Sequence, residues 1–360
     1  MSKEAMPRHG VMEGEGAYNK YAKLPAGGAA LAVHLLEKAV RSVELNGCGQ
    51  PVVIADYGSS QGKNSMVPMQ IAIRNLRQRV SPDRPICVFH IDQPSNDFNS
   101  LFEVLDTDQD RYVLGEPNVF PAVIGRSFYE SVLPPDSVHI GWCSYAAVWL
   151  SRVPALIPGH FISAHSTGPV RAEFERQGAH DWEAFLSLRA TELRPGGRLV
   201  VVLPALADDG SSGFEKIMDQ ANAVLAEMAA GGSLTVDERA RMTLRAHPRR
   251  NGDLLAPFAR DGCFQHLTVE AFEMKALPDA AWTDFQRDGN QEALANKHTL
   301  FFRSVFVPSL ASALDLVLSG DSEAARIFGD RLEVGLKRRL ASQPAPMNSF
   351  VQTMVLAKAV

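Results

Sequence analysis

The chain is predicted to be an α/β protein with an open parallel sheet and helices on both faces, and three observations carry that prediction. Four apolar runs, Val52–Asp56, Ile86–Ile91, Val138–Cys143 and Arg198–Leu203, have the length and content of strands buried on both faces, and helical patterns separate them. The first run passes directly into Tyr57-Gly58-Ser59-Ser60-Gln61-Gly62-Lys63-Asn64, a loop of small residues that opens into a helical pattern. Finally, Pro195-Gly196-Gly197 stands between a helical pattern and the run Arg198–Leu203, which predicts a sharp helix-to-strand connection.

Taken in order, the first 15 or so residues are polar and glycine-rich and are expected to be flexible unless a ligand orders them. From Gly28 to Leu45 the residues Leu31, Leu35, Leu36, Ala39, Val40 and Val43 form a stripe of helical period. Further helices are predicted over Met66–Arg79, Asn99–Leu105, Ala146–Leu150 and Asp181–Leu193. Beyond Ala205 the pattern changes to helix and loop, with Phe214–Met228 amphipathic and a break near His247-Pro248, which reads as an insertion covering the open edge of the sheet like a lid. Strand alternation resumes at Cys263–Val269 and again at Ser349–Leu356, and these two runs would complete a seven-stranded sheet. The expected organisation is therefore a terminal segment and α/β core over 1–204, a helical lid over 205–260, and remaining strands with further lid helices over 261–360.

Composition narrows the class. A chain of 360 residues with 46% hydrophobic content buries a large core, and a net charge of −5 gives no general attraction to nucleic acid or anionic membrane. The clusters Arg241/Arg245/Arg249/Arg250 and Lys337/Arg338/Arg339 are short and read as solvated helix faces or turns. Cys48, Cys87, Cys143 and Cys263 lack metal-ligand spacing, so free thiols in a reducing cytoplasm are expected, with no metal. The N-terminus has no apolar leader, and no run has the length of a membrane span.

In this architecture ligands bind beyond the carboxyl ends of the strands. Asp56 sits there, ahead of the glycines, where it would repel a pyrophosphate and favour a cationic, phosphate-free cofactor such as S-adenosylmethionine. The absence of Gly-x-Gly-x-x-Gly spacing argues in the same direction against a nicotinamide dehydrogenase. Asp92 ends the second run, placed either to accept both ribose hydroxyls or simply to cap the following segment. Phe128 is a candidate to stack on an adenine, and Tyr145 with Trp149 to wall an aromatic or apolar acceptor; singly, such aromatics read as core.

An ordered series of motifs resembles the SABATH methyltransferases, the group of plant salicylate, benzoate, jasmonate and theobromine methyltransferases and their bacterial relatives. It comprises Gly14–Asn19, Ile54–Asn64, Asp92–Asn99, Gly125–Tyr129, Ser144-Tyr145 with Trp149–Ser151 and Val153-Pro154, and Asp181-Trp182 through Gly197. The resemblance implies a Rossmann-like class I methyltransferase fold with a seven-stranded sheet and a helical lid subdomain, S-adenosylmethionine as cofactor with S-adenosylhomocysteine as product, and a homodimer. For the cofactor it implies Tyr18 in a closing N-terminal segment, Asp56, Gly58 and Asn64 at the methionine end, Asp92 at the ribose, and Gln93, Ser127 and Phe128 around the adenine. Cys143, ending the fourth run, belongs to the same set. For the acceptor it implies Tyr145, Val148 and Trp149, the lid residues Ile217 and Met218, and His247, Phe302 and Phe350. Leu24-Pro25 stands where plant members usually carry a carboxylate-clamping glutamine, and proline has no donor, so a two-point grip by Trp and Gln is not available in that form.

The reading that follows is methylation of the carboxylate of a small aromatic or hydrophobic acid to its methyl ester. No catalytic acid or base is assigned, because a carboxylate is already ionised at neutral pH. N- or O-methylation of a heterocycle or hydroxyl compound is the alternative, and it would need a base, for which His247 is the candidate. A non-catalytic S-adenosylmethionine-binding protein is a third reading.

Overall fold

The computed structural model describes residues 10–47 and 49–360. Its strands are β1 (Val52–Tyr57), β2 (Ile86–Asp92), β3 (Val119–Gly125), β4 (Val138–Ser144), β5 (Leu193–Ala205), β6 (Cys263–Phe264), β7 (Leu267–Ala276) and β8 (Phe350–Lys358). They form one sheet in the order β3-β2-β1-β4-β5-β8-β7-β6. The first five are parallel to one another and the last three run antiparallel. The chain leaves β1 toward β2 and β3 and then crosses back to lay β4 on the other side, so a crevice opens at the carboxyl ends of β1 and β4.

The sheet has eight strands, not the seven expected. The run Cys263–Val269 folds back on itself, because Gln265 (φ 47°) and His266 (φ 67°) both adopt left-handed backbone and make a two-residue hairpin between β6 and β7. β3 escaped the reading for a different reason. It is an edge strand with Phe120 and Pro121 exposed, so it carries neither a buried run nor a clean alternation, and an edge is where proline is tolerated.

The N-terminal helices are α1 (Ala17–Tyr21), α2 (Lys23–Leu31) and α3 (Val33–Ser42), with a break at Ala32 inside the single helix expected. Two core helices follow, α4 (Lys63–Arg77) and α5 (Phe98–Thr107). Leu36, Ala39, Met69, Ile73 and Leu101 from α3, α4 and α5 pack on one face of the sheet. The opposite face is covered by α6 (Gly168–Glu192), through Trp182, Phe185 and Leu186, and by the helical layer. That layer holds α7 (Glu215–Ala230), α8 (Val236–Arg241), α9 (Asn251–Leu255), α10 (Ala280–Asp288), α11 (Gln291–Ala311), α12 (Asp315–Leu318) and α13 (Ser322–Ser342), with α7 and α11 both packed on α13. Among the described residues no helix is long and apolar enough to cross a membrane.

Other expectations change in detail. Pro195-Gly196-Gly197 is not a connection: α6 ends at Glu192, β5 begins at Leu193, and the proline and glycines form an irregularity inside β5, where the pairing with β4 shifts register. Gly196 has φ 76° there, and a Cβ would fall 2.2 Å from the Glu44 side chain. Ala146–Leu150 is a turn and an isolated bridge, not a helix. Arg249 is buried, not solvated, because its guanidinium donates to the carbonyls of Ala147 and Gly178. Cys87, Cys143 and Cys263 are unpaired, and Cys48 lies outside the described residues. Residues 1–9 also lie outside them, but the segment from Gly10 is tied down: the Gly10 N–H donates to Ser309 Oγ, and the Glu13 N–H to the Ser304 carbonyl.

Candidate active site

The loop after β1 is shaped by backbone that other residues resist. Gly58 (φ 87°), Ser60 (φ 49°) and Gly62 (φ 88°) are all left-handed, and a Cβ on Gly58 would lie 2.1 Å from that of Ala146. Only glycine lets the β1 loop approach the chain leaving β4. Asp92, at the end of β2, accepts from the N–H groups of Ser60 and Gln93, each at 2.7 Å. Burial pushes its carboxyl up to about 6, the two N–H groups oppose that shift, and the charge of Asp56 adds to it. Asn96 Nδ2 donates to the Ser60 carbonyl, so the β2 loop braces the β1 loop from two sides.

The N-terminal segment closes on the same loop. Gln61, fully buried, donates to the Glu13 carbonyl, and Asn19 donates to both the side-chain oxygen and the backbone carbonyl of Gln61. Tyr18 hydrogen-bonds the Asn64 side chain, and burial pushes its phenol well above the ordinary range. Glu13 in turn pairs with Arg303 of α11 at 2.7 Å.

Beyond β4 the chain is held by neighbours, not by a helix. The Tyr145 N–H donates to the Val202 carbonyl, His247 N–H to Val148, Leu150 N–H to Arg245, and Tyr129 Oη to the Trp149 carbonyl. These partners absorb the groups that a helix would have paired internally. Tyr145 has φ 59°, a left-handed conformation that is costly for an aromatic residue, and its buried hydroxyl has no hydrogen-bond partner among the described residues. That hydroxyl lies 2.3 Å from where a Cβ on Gly28 would stand. Trp149 is 8% exposed, packs near Phe306, and its indole N–H makes no hydrogen bond among the described residues.

These segments enclose a cavity of about 1140 Å³, part of it open to solvent. Of the residues singled out from sequence, Tyr18, Gly58, Asp92, Gln93, Phe128, Tyr145, Val148, Trp149 and Met218 line it. Asp56, Asn64, Ser127 and Cys143 are not among the residues that line it. Asp56 is bonded to His90 at 2.9 Å, Asn64 reaches Tyr18, Ser127 Oγ accepts from the Tyr129 N–H, and Cys143 is a fully buried thiol that burial pushes up to about 12.

Three acceptor-side candidates do not line this cavity. Ile217 is buried in the core while its neighbour Met218 faces the cavity. Phe302 packs on Phe161, and the lining face of α11 is instead Phe301, Val305 and Phe306. One helical residue rotates a side chain by about 100°, so an alignment error of one changes the face. His247 is buried against Phe174 and hydrogen-bonds Ser163 Oγ; burial, with the charges of Arg249, Arg171 and Arg250, pushes it down to about 3. It does not line the cavity. Phe350, also implied, lies within β8.

Sequence reasoning passed over the support beneath Phe128. Arg189 and Glu192 on α6 form a fully buried ion pair; Arg189 donates to the Phe128 carbonyl at 2.8 Å, and Glu192 accepts from Tyr57 Oη and the Val132 N–H. The i,i+3 spacing of opposite charges near the end of α6 was the available signal. Leu24 and Pro25, the departure noted above, both lie on the cavity wall. Elsewhere His160, His165 and Asp219 converge within 4.8 Å, but His160 Nδ1 accepts from the Phe161 and Ile162 N–H groups. That leaves its proton on Nε2, 3.4 Å from Asp219 Oδ1, so His160 offers no free ring nitrogen to a metal.

The cavity has one polar end, at Ser60, Asp92, Gln93 and Asn96, and an apolar end at Trp149, Met218 and the α11 phenylalanines. The glycine-shaped loop, the Asp92 carboxylate and the buried Ser60 hydroxyl, unpartnered among the described residues, fit a nucleoside-bearing cofactor. The fold matches that of a solved loganic acid methyltransferase with S-adenosylhomocysteine, at a TM-score of 0.77 and 22% identity over 97% of this chain and 99% of that one. Fold and crevice thus define a Rossmann-like methyltransferase architecture. The chain belongs to the SAM dependent carboxyl methyltransferase family, whose model matches residues 5–324. It is 30% identical to Methyltransferase LUC1 of a Fusarium species over 230 residues, 62% of this chain and 59% of that protein. It is 34% identical to loganic acid O-methyltransferase of Catharanthus roseus over 170 residues, 44% of this chain and 43% of that protein. In both cases the chain spans less than two thirds of the relative's length.

Proposed function

We propose that this chain methylates the carboxylate of a small aromatic or hydrophobic acid, using S-adenosylmethionine. The observation that carries this reading is the charge inventory of the cavity. Among the described residues that line it, Asp92 is the sole Asp, Glu, Lys, Arg or His, and it is engaged with the Ser60 and Gln93 N–H groups. An apolar wall without a side-chain base suits an acceptor that arrives ionised, and disfavours a hydroxyl or heterocycle that must first lose a proton. When bound, the cofactor supplies a methyl group on a cationic sulfur, which passes in line to a carboxylate oxygen while sulfur keeps the electron pair of the broken bond.

The chain's own contribution is to place and dry the acceptor. Trp149 offers its indole N–H to one carboxylate oxygen, Pro25 and Leu24 give apolar packing where relatives usually offer an amide, and Tyr145, Val148, Met218 and the α11 phenylalanines set the acceptor's shape. On the donor side Asp92 accepts the ribose hydroxyls, Gln93, Ser127 and Phe128 flank the adenine, and Tyr18, Asp56, Gly58, Asn64 and Cys143 surround the methionine end. The segment 205–260, with the helices that follow, acts as the lid, and the working form is a cytoplasmic homodimer. A panel of carboxylic acids and azaheterocycles, read by mass spectrometry for methyl esters against N-methyl products, tests the proposal. Ester formation supports it, and N-methylation alone overturns it.

A further inference from the structure

Asp56, His90 and Tyr112 form a hydrogen-bonded chain that the methyl-transfer reading leaves unused. Parallel pairing of β1 and β2 sets Asp56 beside His90 in register. His90 Nδ1 lies 2.9 Å from Asp56 Oδ2, and its Nε2 lies 2.9 Å from the Tyr112 hydroxyl. The three residues are 2%, 0% and 0% exposed, so the chain of bonds lies inside the protein.

The direction of each bond follows from the far end. Burial, with the charge of Asp56, pushes the Tyr112 phenol far above its ordinary value, so it keeps its proton. Among the described residues that proton has one acceptor, His90 Nε2. Nε2 therefore carries no hydrogen, and the ring's single proton sits on Nδ1, donated to Asp56. This consumes Oδ2 and leaves Oδ1 with no hydrogen bond among the described residues. The groups whose ionisation the Asp56 charge opposes are Tyr18 of α1, Asp92 of β2, Tyr112 and Cys143 of β4, all of them acids. Among the described residues His90 is the sole side-chain partner of the buried Asp56 carboxylate, and a buried acid set among other acids favours a cation brought by a ligand.

We propose that His90, locked by Tyr112, is a positioning residue that turns Asp56 Oδ2 inward and reserves Oδ1 for the cationic methionine end of the cofactor. The role rests on the reading that S-adenosylmethionine binds in this crevice. Nitrogen-15 NMR of the cofactor-free protein is expected to show His90 as the Nδ1–H tautomer at neutral pH, and Tyr112→Phe to admit the other tautomer. By calorimetry, His90→Leu should weaken S-adenosylhomocysteine about tenfold, and His90→Asn, whose amide donates from nearly the same place as Nδ1, should recover to within about threefold of wild type. An Nε2–H tautomer in the wild type overturns the proposal, as does wild-type affinity in a cooperatively folded His90→Leu protein. Should His90→Leu fail to fold, Tyr112→Phe and His90→Asn decide it through the tautomer and the affinity. Wild-type protein that binds no S-adenosylhomocysteine would instead overturn the cofactor reading, and with it the proposed role of Oδ1, while the tautomer still tests the hydrogen-bonded chain alone.

Discussion

Asp92 joins two demands in one carboxylate, because it braces the β1 loop through the Ser60 and Gln93 N–H groups and lines the cavity where a ribose is proposed to bind. Its carboxyl is raised to about 6, so cofactor affinity is expected to fall as the pH drops through that value, and Asp92→Asn to remove this limb along with much of the affinity; titration calorimetry across pH checks both. The same shift has the opposite sign for stability. A carboxyl raised on folding favours the fold at pH below the ordinary range near 3.8 and loses that contribution as the pH rises through about 6. Denaturant midpoints of the cofactor-free protein should carry this component in wild type and lack it in Asp92→Asn. On the acceptor side, Trp149→Phe keeps the apolar wall but deletes the indole donor, so turnover should drop about tenfold to a hundredfold, the worth of a hydrogen bond to a charged group, while cofactor affinity stays near wild type. Unchanged turnover would remove Trp149 from the role. Both positions could be singled out in the sequence from their place at or after a strand end, and both line the cavity. His90 could not be, because only strand register shows that it faces Asp56.

At the scale of elements, function depends on segments that hold one another. The residues after β4 were expected to be a helix, yet their backbone groups are taken by Val202, Arg245, His247 and Tyr129, four partners distant in sequence that no local pattern reveals. α2 then sets Tyr145 by close approach. In Gly28→Ala a Cβ 2.3 Å from the Tyr145 hydroxyl must displace the ring, so kcat/KM for the acceptor should fall about tenfold with little change in cofactor affinity. Equal losses on both ligands would contradict that division. α6 supports the Phe128 segment through Arg189 and Glu192. Arg189→Met leaves Glu192 buried without its cation and releases the Phe128 carbonyl, so unfolding free energy should fall by about 3–5 kcal/mol, measured by denaturant titration. The helix-forming pattern of α6 was readable only from Asp181, whereas the helix begins at Gly168, since its first turns carry few apolar residues in period.

For the whole molecule, the cavity draws its walls from the N-terminal segment, the β1, β2 and β4 loops, the 244–248 stretch and α11, so a ligand bound there ties together parts of the chain that are far apart in sequence. S-adenosylhomocysteine at about a hundred times its dissociation constant should add about 2.7 kcal/mol to stability and raise the melting temperature, read by calorimetry; no shift would mean that the crevice does not bind it. By itself the sequence determined the α/β class, the parallel strands, the glycine loop after β1 and the residues at strand ends, because periodicity, buried-strand composition and turn chemistry are local properties. Edge strand β3, the hairpin that splits β6 from β7, the faces of α7 and α11, and the burial of Arg249 and His247 were decided only in the tertiary structure. Each depends on which distant group satisfies a backbone or a charge, and on a rotation of one residue along a helix, and neither is encoded at short range.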